Sequence, residues 1–182
     1  MLDALLVENG APTLACIKCA NLMTAHFSDT VSLARQVAAL RLRLRAYGVS
    51  LTILRMDAGS AQLYLYRPGL VERILSEPRN RAFLRREGYT SFRLDDALTR
   101  LRQRLRQDAF PHEIGLFLGY PLDDVLAFIR CEGKGCALCG VWKAYYHVND
   151  ARQYFEACRS CRLRAISGFR RGMTLEQLTV AG

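Results

Sequence analysis

Proline is scarce, with five in 182 residues, and no low-complexity tract interrupts the chain. Hydrophobic residues make up 51% and charged residues 24%, an ordinary globular composition, so disorder is not expected beyond the termini. No run approaches the roughly 18 apolar residues that a membrane helix needs. The N-terminal MLDALLVENG has no basic leader and carries two acids, which argues against a secretory signal. These absences predict a cytoplasmic protein with no membrane partner. A phosphate loop, a dinucleotide fingerprint and a G-x-S-x-G elbow are also missing, which disfavours nucleotide and serine hydrolases.

Lysine is nearly absent as well. Lys18, Lys134 and Lys143 are three of the 26 basic residues, and the remaining 23 are arginine. The net charge of +9 is compatible with an anionic partner such as nucleic acid, or with arginines on solvated helix faces. Arg100, Arg102, Arg104 and Arg106 are two apart, so they do not share a helical face and form no single basic stripe.

Seven cysteines are present. In a reducing cytosol they do not form a disulfide framework; metal ligands, redox thiols or core thiols remain. They fall as Cys16/Cys19, Cys131/Cys136/Cys139 and Cys158/Cys161. Two C-x-x-C pairs, Cys136/Cys139 and Cys158/Cys161, are separated by 18 residues. That spacing suits a four-thiolate zinc site, with Cys131 as an alternate ligand. The C-x4-C-x2-C run beginning at Cys131 equally fits an iron–sulfur cluster. Cysteine is also a common core residue, so a metal-free alternative stands beside both.

Periodicity gives an α+β fold in one domain, residues 1–182, with the cysteine-rich metal-site candidate within 131–161. A short helix over 2–8 is expected to end at Gly10-Ala11-Pro12. Residues 13–24 carry no clear pattern. Ser28-Asp29-Thr30 caps a helix over 31–47 with Leu33, Val37, Leu40 and Leu44 inward, and Gly48 stops it. Residues 49–55 and 61–67 alternate as a hairpin. Helices follow Pro68 and occupy 94–107, with Leu94, Ala97, Leu98, Leu101 and Leu105 inward. Residues 114–118 and 141–147 read as strands of a small mixed sheet formed with the hairpin. Helices follow Pro121 and Asn149-Asp150, and a last short one follows the capping box at Thr174.

The segment Phe110–Val125, FPHEIGLFLGYPLDDV, is the most distinctive in the chain. With WKAYY (142–146), LYLYRP (63–68) and APTLACIKCANL (11–22), it resembles a bacterial family catalogued as domain of unknown function 3793, over about residues 11–180. The resemblance implies a cytosolic single-domain protein. It marks Pro111, His112, Glu113, Gly115, Gly119, Tyr120, Pro121, Asp124, Trp142, Lys143 and Tyr145 as characteristic positions without giving them roles. Paired cysteines are not part of that pattern, so a thiolate site would belong to a subset.

His112 and Glu113 are candidates for acid–base work, with Tyr120 as a third catalytic candidate. On a strand, neighbours point to opposite sides, so the pair would not act on one atom. The structural alternative has Glu113 paired with an arginine. No second histidine follows to make H-E-x-x-H, and no zinc protease is implied. Trp142, Lys143 and Tyr145 are candidates for holding a flat cofactor or ligand. Three functions therefore stand: a structural zinc protein, a small-ligand enzyme or redox protein built on the His-Glu block, and a nucleic-acid binder.

Overall fold

The first helix, α1 (Leu2–Leu14), does not stop at its glycine or its proline. The computed structural model describes residues 2–107 and 110–181. In it a Cβ on Gly10 would run into the Leu65 side chain. Glycine here permits close helix–sheet contact rather than a helix end. Pro12 has no N–H, which frees the carbonyl of Glu8. That oxygen instead accepts a 2.6 Å hydrogen bond from Nε of Arg162, so the helix continues without an orphaned acceptor.

Asp29 caps α2 (Thr30–Arg45), its carboxylate accepting from the backbone N–H groups of Val31 and Ser32. Leu33, Val37, Leu40 and Leu44 are buried, as their spacing requires. Gly48 follows with φ +69°. The hairpin is β2 (Ser50–Asp57) and β3 (Ser60–Tyr66), turning at Gly59. A third strand, β1 (Ala20–His26), lies within the unassigned stretch and pairs with β3. The order is β1-β3-β2, antiparallel throughout. The α+β class holds, but the sheet is not mixed.

Central β3 is buried on both faces, and its alternation separates two cores. Leu63 and Leu65 face α1 and α2; Tyr64 and Tyr66 face the helices that follow. Leu54 falls in the second core by ordinary alternation from Ile53, and a bulge between Ile53 and Arg55 then pairs Arg55 with Gln62. That second layer contains α3 (Pro68–Ser76), α4 (Pro78–Arg86) and α5 (Leu94–Arg104). The five expected inward residues of α5 and its end are all buried. Pro78 both ends one helix and opens the next.

Two expected strands take other forms. Residues 114–118 are a helical turn, α6 (Ile114–Phe117), because Ile114, Gly115 and Leu116 donate to the carbonyls of Pro111, His112 and Glu113. Gly119, at φ +79°, ends it. Residues 141–147 contribute two strand residues, β5 (Lys143–Ala144), paired with β4 (Leu138–Cys139) in a separate ribbon. Between these lies α7 (Leu122–Arg130), and after them α8 (Val148–Arg170), which packs along α1. The capping box forms, Thr174 and Gln177 each bonding the other's backbone N–H, but closes a turn rather than a helix.

Arg67, at the end of β3, is 3% exposed. Nε donates to Thr13 O at 2.7 Å, and the remaining nitrogens reach Leu14 O, Val180 O and Tyr47 O at 2.6, 2.7 and 3.2 Å. One guanidinium thereby caps α1, touches the end of α2 and fixes the C-terminal segment. Arg67→Met is expected to remove four hydrogen bonds from one charged donor, with Thr13 O and Leu14 O keeping only their backbone donors from Cys16 and Val180, and to lower the urea midpoint sharply. Arg67→Lys is expected to recover only part of the loss, since an ammonium cannot span the same carbonyls. Equal midpoints for Met, Lys and wild type would refute this role.

Candidate functional site

The helical turn of α6 sends His112 and Glu113 apart, since consecutive helical residues lie about 100° around the axis. Glu113 turns inward and is 1% exposed. Its Oε1 accepts from Arg104 Nε at 2.8 Å and from the Tyr89 hydroxyl at 3.3 Å. Arg104 also holds Glu87. Burial first, then the neighbouring Glu113 charge, pushes the Tyr89 phenol far above its ordinary range. Glu113 is therefore an anchor for the block and does not face the cavity. The backbone is helical where a strand was expected, yet the divergence of the two side chains is the same.

His112 turns outward. Its ring packs edge-on to Phe128 at 5.4 Å and tilted to Phe110 at 6.1 Å. A cavity of about 430 Å3 opens beside it, lined among others by Leu118, Tyr120, Val125, Phe128, Trp142 and Lys143. Gly115 lets two of its walls meet, because a Cβ there would lie 2.8 Å from Val125 and 3.3 Å from the Tyr120 ring. The Tyr120 phenol is pushed up to about 12 by burial, with the Cys19 thiol a smaller contributor. Lys143 Nζ donates to Gly133 O at 2.7 Å and lies 5.8 Å from the centre of the Phe128 ring.

Asp124 holds the far wall in place. Its sequence position suggests capping of α7, but it is buried and accepts from elsewhere. Oδ2 takes the Trp142 indole N–H at 2.7 Å; Oδ1 takes the backbone N–H groups of Tyr145 and Tyr146 at 2.8 and 3.1 Å. The indole is further packed by Tyr120, Tyr154 and Phe155, with ring centres at 5.5, 5.3 and 4.6 Å. Gly140 gives Phe155 its room, since a Cβ there would overlap that ring. His112, Tyr120, Trp142 and Lys143 thus converge on one cavity. Tyr145 does not line it. Its hydroxyl is buried without a partner among the described residues.

The cysteines separate into different environments. Cys136 and Cys139 flank the start of the β4–β5 ribbon, with sulfurs 2.6 Å apart. Burial raises the Tyr145 phenol, with Cys131, Cys136 and Cys139 as smaller contributors. Cys158 and Cys161 share one face of α8, the face turned to the core, and both are buried. Cys161 Sγ meets Ala11 O at 3.6 Å. Burial is the main cause that raises both thiols. The expected set of Cys136, Cys139, Cys158 and Cys161 is not gathered: among the described residues no three His, Cys, Asp or Glu side chains form a metal-ion cluster. The i, i+3 spacing of Cys158 and Cys161 here serves helix burial. Cys19 is likewise a core thiol, while Cys16 is exposed.

Asp124→Ala should release the indole and two backbone donors together. The expected result is a red-shifted emission from Trp142, the single tryptophan, and a loss of at least about 2 kcal/mol in chemical denaturation, given about 1.5–3 kcal/mol per hydrogen bond to a charged group. Unchanged emission in a folded variant would show that Asp124 does not position the indole.

Among the described residues no helix is long and apolar enough to cross a membrane. No curated protein and no solved structure matches the chain. The family profile described as protein of unknown function (DUF3793) matches residues 6–179, covering the His-Glu turn, the Asp124–Trp142 anchor and both flanking helices. The chain belongs to the DUF3793 family.

Proposed function

We propose that this protein binds a small, flat, largely apolar molecule in the cavity beside His112 and Trp142. The carrying observation is the cavity itself. Its volume lies within the range of about 300–1,000 Å3 usual for ligand sites, and few polar groups converge on mostly apolar walls. Tyr120 and Trp142 offer aromatic surfaces at 5.5 Å from each other. Lys143 supplies a cation for an anionic edge of the ligand. His112, exposed at the rim, is the group in this wall suited to pass a proton to or from a bound molecule. Glu113 is left out of the chemistry because its carboxylate is committed to Arg104 and Tyr89.

Titration with anilinonaphthalene sulfonate, an aromatic anion, tests this reading. Saturable binding with quenching of Trp142 is expected, weakened several-fold in His112→Ala at unchanged melting temperature and in a folded Lys143→Met, whose lost bond to Gly133 O lowers the melting temperature slightly. No saturable binding, or equal binding by both variants, would remove the cavity as a ligand site.

The C-x-x-C spacing at the base of the ribbon supports a second reading, in which the Cys136 and Cys139 sulfurs, now 2.6 Å apart, open to the roughly 3.8 Å that two thiolates on one tetrahedral zinc require. Cys136 and Cys139 would form a two-thiolate anchor for zinc on the ribbon; Cys131 would have to move to join them, since no three such side chains are gathered among the described residues, and Cys158 and Cys161 are left out. Zinc suits it better than an iron–sulfur cluster, because zinc completes its four ligands with histidine, carboxylate or water whereas a cluster usually takes four cysteines. Near-stoichiometric zinc after anaerobic purification, and a lower melting temperature after chelation, are expected. A folded, reduced and metal-free protein with an unchanged melt would end this reading.

A further inference from the structure

A second cavity, of about 570 Å3, shares Cys139 and Gly140 with the lining of the first. Lys18, in the link between α1 and β1, forms part of its wall and is 3% exposed. Its ammonium has three N–H donors. One meets Ala20 O at 2.7 Å, and the group lies 5.2 Å from the centre of the Tyr120 ring. No carboxylate pairs with it among the described residues. Burial lowers the amine to about 8, opposed only in part by the Cys19 and Cys158 thiols. A buried cation without a counter-charge is costly.

The rest of the wall is also rich in donors. Arg152, Arg159 and Arg162 come from α8, with Glu8 and Glu156 as the carboxylates. Glu156 is already paired with Arg159 at 3.4 Å, and Arg162 uses Nε on Glu8 O. Arg152 forms no ion pair among the described residues. Asn21 receives the Thr13 hydroxyl on Oδ1 at 2.7 Å, leaving its amide N–H groups as donors. These groups approach from the α1–β1 link, from β1 and from α8.

We infer that this cavity binds a phosphate-bearing small molecule, its anionic group held by Lys18 and Arg152 with the Asn21 amide as a neutral donor. A tetrahedral phosphate presents oxygens to donors from three directions, whereas a carboxylate presents two in a plane. The cavity is larger than one phosphate group, so the remainder of the ligand lies along the Leu138–Val141 wall. The inference does not depend on what occupies the first cavity.

The test is thermal melting in inorganic phosphate at ionic strength held constant with chloride, with acetate as the comparison anion. Wild type is expected to gain melting temperature with phosphate and little with acetate. Lys18→Met is expected to show no phosphate-dependent gain, and Arg152→Gln to need about tenfold more phosphate. Should Lys18→Met not fold, the side-chain resonance of Lys18, one of three lysines, is expected to move as phosphate is added to wild type. No phosphate response in wild type, an equal response in Lys18→Met or with acetate, or a stationary Lys18 resonance would overturn the site.

Discussion

One buried guanidinium holds the ends of the structure together. Helix C-termini leave carbonyls without intrahelical donors, and here α1 ends inside the molecule, where water is not at hand to satisfy them. Arg67 supplies the donors from the last position of the central strand's edge, reaching Thr13, Leu14, Tyr47 and Val180. Its charge needs no carboxylate because it sits against the negative ends of helices, although burial lowers its pKa. A lysine has too few directed donors for this task. With α1 fixed, the Lys18 link and β1 follow in a set register against β3, and both cavities inherit their walls from that register.

The same use of arginine recurs across the molecule and gives the basic excess a structural explanation. Arg55 donates to Leu105 O, Arg81 to Leu75 O, Arg102 to Ile53 O, and Arg162 to the Glu8 carbonyl freed by Pro12. Others clamp carboxylates, as Arg104 does Glu113 and Glu87. A planar fork of five donors suits this capping, and the positive charge arrives with it. Net charge is therefore weak support for a nucleic-acid partner in this chain, because many of the guanidinium groups already have work within the fold.

What the sequence made legible was whatever rests on local chemistry. The Asp29 cap, the apolar line of α2, the β2–β3 hairpin and the inward face of α5 all follow from spacing, and all are present. β1 was hidden because Leu22 and Met23, on opposite faces, are both covered, which confines the strand's alternation to its last four residues. Gly10 and Pro12 read as a stop because the two facts that override it, the Leu65 contact and the Arg162 donor, come from residues 55 and 150 positions away. Asp124 read as a cap for the same reason: its true donors are on the far side of the cysteine-rich segment. In the site, His112, Tyr120, Trp142 and Lys143 were legible as chemistry-bearing types. Their convergence was not, since it depends on Asp124. Lys18 gave no signal at all: a lone lysine in an apolar stretch is notable only once its missing carboxylate can be seen.

The β4–β5 ribbon contributes to the walls of both cavities. It has two strand residues on each side, too few to stand alone, so its position is set by what grips it: Asp124 from α7, Phe155 against Gly140 from α8, and Lys143 on Gly133. Cys139 and Gly140 line both cavities, the mostly apolar one beside His112 and the one with charged groups in its wall beside Lys18. A weakly self-stable element that lines two cavities is the kind of segment whose position can answer to the occupancy of either. The sulfur pair sits at its base. Cys139 belongs both to that pair and to the lining of both cavities, so a change in the Cys136–Cys139 contact is a change in the wall they share.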